Sequence, residues 1–100
     1  MKTLFVLLIA STVGAFAQAD AVALYAAKCA TCHAADGSGN TAKGRKLKMK
    51  GVKETAVKMK AEEMIKIVTD GKGTDMDAFG KEFSRDQIKG LVDYYRGLAK

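Results

Sequence analysis

The stretch KCATCHAADGSG, residues 28–39, contains both cysteines and the only histidine of this 100-residue chain. Cys29 and Cys32 are separated by two residues, and His33 follows Cys32 directly. A C-x-x-C pair occurs in disulfides and redox centres, in zinc sites and in covalent haem attachment. The remainder of the sequence decides between these three kinds of site.

Two of the three kinds of site do not fit the chain. Redox motifs of the thioredoxin type occur in βαβ units, and no alternating run of β-branched residues predicts a strand here. A closed zinc site needs four Cys or His ligands, whereas this chain has three such residues. Covalent haem attachment remains, because C-x-x-C-H is its signature and two cysteines three apart on a helical turn point towards the two vinyl groups of one porphyrin edge. His33 would then supply the proximal axial nitrogen to iron.

The beginning of the chain has the pattern of an export signal. A charged start at Lys2 precedes an apolar segment that is too short to span a bilayer. Small residues at Ala15 and Ala17 form a cleavage site, so we predict a cleaved signal peptide over residues 1–17. The alternatives are cleavage after Ala19 and an N-terminal membrane anchor that stays attached.

The predicted mature domain, residues 18–100, is basic, with 16 Lys and Arg against 11 Asp and Glu and a net charge of +5. Nucleic-acid binding is excluded as a function, because an exported chain does not meet nucleic acid and the basic segment lacks interleaved aromatics. Eight of the basic residues lie in the run KGRKLKMKGVKETAVKMK, residues 43–60, with Glu54 as its one acid. The run either steers the protein towards an acidic partner or forms a solvated face that aids solubility.

Helical periodicity predicts an all-α domain. We expect one helix over residues 21–31 capped by Asp20, a short one over residues 53–58, and one over residues 61–69 that is stopped by Asp70 and Gly71. The last helix has the clearest start, a capping box formed by Ser84 and Gln87. Its apolar stripe consists of Ile88, Leu91, Val92, Tyr95 and Leu98.

A sixth iron ligand is sought among the methionines. Met76 lies in the glycine-bearing loop DGKGTDMDAFG, which can approach a flat cofactor closely, and this favours Met76. Met64 lies on an apolar helical stripe and is predicted to be a core residue. Met59, Met49 and an open sixth position remain as alternatives.

Three blocks of this sequence resemble the small monohaem class I cytochromes c of bacterial periplasms. They are CATCHAADGSG, GKGTDMDAFG and FSRDQIKGLVDYYRGLAK, in the order and at roughly the intervals of that family, and the resemblance covers nearly all of the mature chain. It implies a small cytochrome c fold of three to four helices around one covalently attached haem c. Cys29 and Cys32 would carry the haem, and His33 and Met76 would be its axial ligands.

The resemblance also implies that the two terminal helices cross beside the haem, with Tyr25 near Leu91 and Tyr94. One departure concerns the ligand loop, where Asp77 follows Met76 in place of the proline usual in the family, and the chain contains no proline at all. The loop would therefore depend more on packing by Ala78 and Phe79.

The function predicted from these features is a periplasmic electron carrier, not an enzyme, with His/Met ligation of the iron. We expect a monomer that does not insert stably into membranes after cleavage and that meets redox partners with acidic docking surfaces. The alternative is a haem enzyme or sensor that binds a small ligand at a labile sixth position, and the missing proline keeps that alternative open.

Overall fold

The computed structural model describes residues 20–100, so the predicted signal peptide and its cleavage sites lie outside the described residues. The helices, in chain order, are α1 (20–28), α2 (Ala30–His33), α3 (Ala42–Lys46), α4 (Val52–Lys58), α5 (Ala61–Asp70) and α6 (Arg85–Gly97). Residues 20–100 contain no strand, which confirms the all-α fold. None of the described helices is both long and apolar enough to cross a bilayer.

The last helix, α6, begins at the predicted capping box. Ser84 Oγ accepts a hydrogen bond from Gln87 N at 3.1 Å, and Gln87 Oε1 accepts one from Ser84 N at 2.8 Å. Three residues of the predicted apolar stripe, Ile88, Leu91 and Val92, are buried against α5 and α4. The local signal therefore predicted both the start of α6 and its inner face.

Helix α5 starts without a good capping side chain. Lys60 precedes it, and Glu63 Oε1 from the first turn accepts a hydrogen bond from Lys60 N at 3.0 Å. At the other end Gly71 has a φ of 80°, and a Cβ there would lie 2.9 Å from Met76 O. Glycine is thus required where the chain leaves α5 for the Met76 loop.

The first helix differs from the prediction at Asp20 and at its end. Asp20 is already helical rather than a cap, and its carboxylate accepts a hydrogen bond from Gln87 Nε2 at 3.3 Å. The helix is interrupted by a turn at Cys29, where α2 begins. The cap prediction was wrong because an acidic residue near a helix start has the same sequence signature inside the first turns as at the cap.

Helices α1 and α6 pack against each other as predicted. The rings of Tyr25 and Tyr94 lie with centroids 5.2 Å apart, and Tyr25 and Leu91 share one core cluster. In the same contact between α1 and α6, a Cβ at Gly90 would lie 3.6 Å from the Cβ of Ala21, which is an ordinary van der Waals distance. Gly90 therefore marks a close approach of the helices that still has room for a methyl group.

Replacing Gly90 with Ala should stabilise the holoprotein by about 0.5–1 kcal/mol, because helix propensity improves and no atom has to move. Gly44→Ala is the contrasting variant, since a Cβ there would lie 2.9 Å from Cys32 O and overlap Gly39 O. It should destabilise by about 1–3 kcal/mol, as overpacking does. Denaturant unfolding of both holoproteins measures the two effects, and a destabilised Gly90→Ala variant would contradict the first.

Candidate haem site

A cavity of about 370 Å³ lies between α2 and the helices α4, α5 and α6. Apolar and aromatic side chains form most of its inner wall: Tyr25, Ile67, Val68, Leu91, Val92 and Tyr95. Three of the four predicted site residues, Cys29, His33 and Met76, line this cavity. Cys32 is half-buried in α2 and does not line it.

The two cysteines lie on one short helical segment. Cys29 is the N-cap residue of α2, and its carbonyl accepts hydrogen bonds from Cys32 N at 3.2 Å and His33 N at 2.9 Å. Both cysteines are free thiols. Burial raises the pKa of the Cys29 thiol to about 11, so this group is a neutral thiol at neutral pH in the unmodified chain.

His33 is held against α6. Its ring meets the ring of Tyr95 edge-on, with centroids 5.1 Å apart and an interplanar angle of 67°. Burial lowers the pKa of His33, which keeps the imidazole neutral at pH 7, the form that ligates metals. Among the described residues no group hydrogen-bonds its buried Nδ1 atom. An unpaired buried nitrogen is rare in native structures and is consistent with a ligand absent from the polypeptide.

All four methionines of the described chain line the cavity, but their environments differ. The sulfur of Met64 lies 3.6 Å from Arg96 Nη1, and Met64 is a buried core residue, as predicted. The sulfur of Met49 lies 3.5 Å from the point where a Cβ on Gly39 would be, so it packs against the loop after α2.

Met59 and Met76 differ in their surroundings. Arg96 Nη1 donates a hydrogen bond to Met59 O at 2.7 Å, and the Met59 side chain packs on the core cluster. Met76 is half-buried, belongs neither to that cluster nor to the side chains packed on it, and lines the cavity. Of these two methionines, Met76 is the one that does not pack on the core cluster.

The loop that carries Met76 is held by backbone hydrogen bonds. Lys72 N donates to Met76 O at 2.9 Å in an isolated antiparallel bridge, and Phe79 N donates to Val68 O at 2.9 Å. Phe79 also stacks on Phe83, with centroids 5.3 Å apart. Ala78 is exposed, so the predicted packing role belongs to Phe79 alone.

Sequence reasoning missed two contacts that shape this site. No sequence pattern indicates a role for Arg96 at the site, yet it reaches the Met59 carbonyl and the Met64 sulfur. Tyr95 was assigned only to an apolar stripe, yet it supports His33. Both contacts join residues far apart in sequence, and no local pattern signals them.

Comparisons with known proteins agree with this geometry. Residues 16–94 match the family model described as cytochrome c oxidase, cbb3-type, subunit III. Among solved structures the fold is similar to the KustC0563 c-type cytochrome, with a TM-score of 0.72, 30% identity and coverage of 79% of this chain and 96% of that chain. A comparison with curated protein sequences finds no significant match.

The chain belongs to this cytochrome c family and is a small class I cytochrome c. Proteins of this class carry covalently attached haem c and transfer electrons, and the site described above fits that group. The C-x-x-C-H segment offers two thiols and a neutral imidazole, and an apolar cavity adjoins Cys29 and His33. The predicted cofactor, one haem c bound covalently, is confirmed at the level of the family.

Two acidic residues flank Met76 at different places. Both are exposed, but Asp75 lies at the cavity wall and Asp77 does not. A carboxylate near the iron stabilises the ferric state by Coulomb attraction. Asp75→Asn should therefore raise the reduction potential of the holoprotein, and the matched variant Asp77→Asn should change it less. Redox titration measures both, and equal shifts or a lowered potential for Asp75→Asn would contradict the expectation.

Proposed function

We propose that this cytochrome is a periplasmic electron carrier in which thioethers to Cys29 and Cys32 attach the haem and in which His33 and Met76 are the axial ligands. The observation that carries the proposal is that Met76, far away in sequence, lines the same cavity as Cys29 and His33. When bound, the haem supplies an iron that changes reversibly between the ferric and ferrous states by one electron.

The residues that line the cavity suit electron transfer rather than the binding of a substrate. The aromatic and aliphatic inner wall would give the bound haem an apolar surrounding, and the Tyr95 ring, which meets the His33 ring edge-on, would hold its orientation. With His33 and Met76 on the two axial positions, no position remains for a substrate, and thioether ligation favours the reduced iron. The chain has no second histidine to serve as an acid or base at an open site. We therefore propose a carrier without enzymatic activity.

Export and the oligomeric state form part of the same proposal. The signal-like segment at residues 1–17, with cleavage after Ala17 or Ala19, supports delivery to the periplasm, where the mature domain over residues 18–100 would act as a monomer. Determination of the N-terminal residue of the mature protein and its sedimentation behaviour test these points directly.

A second function, binding of a small ligand at a labile sixth position, is favoured by one observation. The Met76 amide is held only loosely, because its hydrogen bond to Lys72 O is 3.4 Å long and no proline stiffens the loop. An absorption band near the red end of the ferric spectrum is diagnostic of sulfur ligation and supports the carrier. Its absence, with ready binding of added ligands, would support the sensor or enzyme.

Met76→Ala should remove the red absorption band and lower the reduction potential, because the thioether stabilises ferrous iron. Met49→Ala is the matched control, since Met49 also lines the cavity but its sulfur packs against Gly39. The control should keep both the band and a potential close to that of the wild type. Loss of the band in a Met59→Ala variant, with the band retained in Met76→Ala, would assign the ligand to Met59.

The partners of the carrier are proposed to have acidic docking surfaces. All eight basic residues of the run over residues 43–60 are exposed, and Glu54 lies 4.0 Å from Lys58 in a weak ion pair. Within the same run Val57 on α4 is 85% exposed, the largest value among the exposed large hydrophobic residues of the described chain. Basic side chains around an exposed apolar residue, beside the cavity-lining positions of α4, support docking of an acidic protein there.

Reversing Lys46, Lys48 and Lys50 to Glu should slow electron transfer to an acidic blue-copper protein at low salt. The wild-type rate should fall as salt shortens the Debye length from about 30 Å to about 8 Å, and the variant should lose most of this dependence. A control variant with Lys81, Lys89 and Lys100 changed to Glu has the same net charge. Stopped-flow rates that fall equally in both variants would show that net charge alone governs the encounter.

A further inference from the structure

Arg96, in the last turn of α6, contacts two residues of the cavity wall from outside the cavity. Its Nη1 atom donates a hydrogen bond to Met59 O at 2.7 Å and lies 3.6 Å from the sulfur of Met64. Met59 and Met64 both line the cavity, whereas Arg96 does not. The guanidinium group is therefore one residue behind the wall of the proposed haem site.

Within residues 20–100 no acidic side chain forms an ion pair with this guanidinium. The four ion pairs of that part of the chain join other residues. The Nη1 contacts of Arg96 are with a neutral carbonyl and a neutral thioether. Arg96 is half-buried, and a guanidinium stays charged in proteins. A full positive charge without a paired carboxylate thus lies beside the cavity.

The lysines at the cavity differ from Arg96 in their exposure. Water and salt screen exposed charges strongly, and they screen partly buried charges much less. A lysine ammonium also ends a flexible stem, whereas the Arg96 guanidinium is held by its bond to the Met59 carbonyl. The cavity-lining lysines, all exposed, are Lys48, Lys50, Lys58 and Lys72. We therefore expect the charge of Arg96 to act on the cavity at high salt as well as at low salt.

We propose that the Arg96 guanidinium raises the reduction potential of the haem iron and so helps to set the potential at which this carrier works. Reduction adds one electron to the iron, so a nearby positive charge stabilises the ferrous product relative to the ferric form. Arg96 gains and loses no electron and acts through space. This inference rests on the proposed function, in which the haem occupies this cavity with His33 and Met76 as axial ligands.

Substitutions at Arg96 separate its charge from its contacts. Arg96→Lys keeps the positive charge and loses the planar guanidinium. Arg96→Gln removes the charge and keeps an amide donor, and Arg96→Met removes both but keeps an unbranched stem. Lys89→Gln is the matched control with the same change in net charge. Lys89 is exposed, lies about two turns earlier on the same side of α6 and does not line the cavity.

The experiment is a redox titration of each holoprotein at low and at high salt. Arg96→Gln and Arg96→Met should lower the equilibrium constant for reduction by about threefold to tenfold, as expected for the loss of one partly screened unit charge. Arg96→Lys should keep most of the wild-type value, and Lys89→Gln should change it by less than about twofold. The shift in Arg96→Gln should persist at about 1 M salt, where the Debye length is about 3 Å.

The red absorption band of the ferric protein and denaturant unfolding show whether each variant keeps its sulfur ligand and its fold. An unchanged or raised potential in Arg96→Gln would overturn the proposal, and so would an equal shift in Lys89→Gln, which would show that net charge alone acts. An equal shift in Arg96→Lys would overturn it as well, because the contacts rather than the charge would then matter. If Arg96→Gln loses the band, Arg96→Met decides, and loss of the band in both variants would assign Arg96 a structural role and refute the proposal.

Failure of the proposed function would be visible in the wild-type protein itself. Without the haem the wild type would show no reversible one-electron titration, and without ligation by Met76 it would keep the red band when Met76 is replaced by Ala. Failure of this inference would leave the wild-type behaviour as proposed and would change only the comparison among the Arg96 and Lys89 variants.

Discussion

The core of this domain surrounds a cavity, and the rest of the structure depends on the cofactor that fills this cavity. Nine residues of the described chain form the buried apolar core. A domain of about 80 residues buries a smaller fraction of its surface on folding than a larger domain does, so its polypeptide core alone gives little stability. Several of these core residues, among them Tyr25, Leu91 and Val92, also line the cavity. A covalently held cofactor therefore completes the core, which makes folding and haem attachment one problem.

The parts of the fold that were predictable are those with local causes. The capping box at Ser84 and the stop at Gly71 act within a few residues, and α4 and α5 begin within one residue of their predicted positions. Helix α3 was not predicted, because its five residues include Gly44 and no apolar stripe marks them as helical. In a five-residue helix, tertiary contacts rather than propensity determine whether the helix forms.

The candidate site also has a part that the sequence predicts locally and a part that it does not. The C-x-x-C-H spacing indicates the cofactor, because its geometry is contained in five consecutive residues. The supports of the site come from distant parts of the chain: Tyr95 against His33, Arg96 on the Met59 carbonyl, and Tyr25 on the Ala34 carbonyl. The periodicity of the sequence does not predict such contacts. They depend on how the formed helices α1 and α6 pack against the loops.

The absence of a proline after Met76 matters because of how the Met76 loop is held. In the Met76 loop the conformation depends on a single bridge to Lys72, a glycine at residue 71 and two backbone bonds to the end of α5. Apart from the Phe79 ring, which stacks on Phe83, these contacts involve backbone atoms, and backbone hydrogen bonds contribute only about 0.5–1.5 kcal/mol each in net stability. A loop held in this way opens locally at low cost. Under the proposed ligation by Met76, the strength of the methionine–iron bond would depend on how firmly α5 holds the loop. The choice between an electron carrier and a ligand-binding haem protein would then depend on these few backbone bonds as well as on the ligand residue itself.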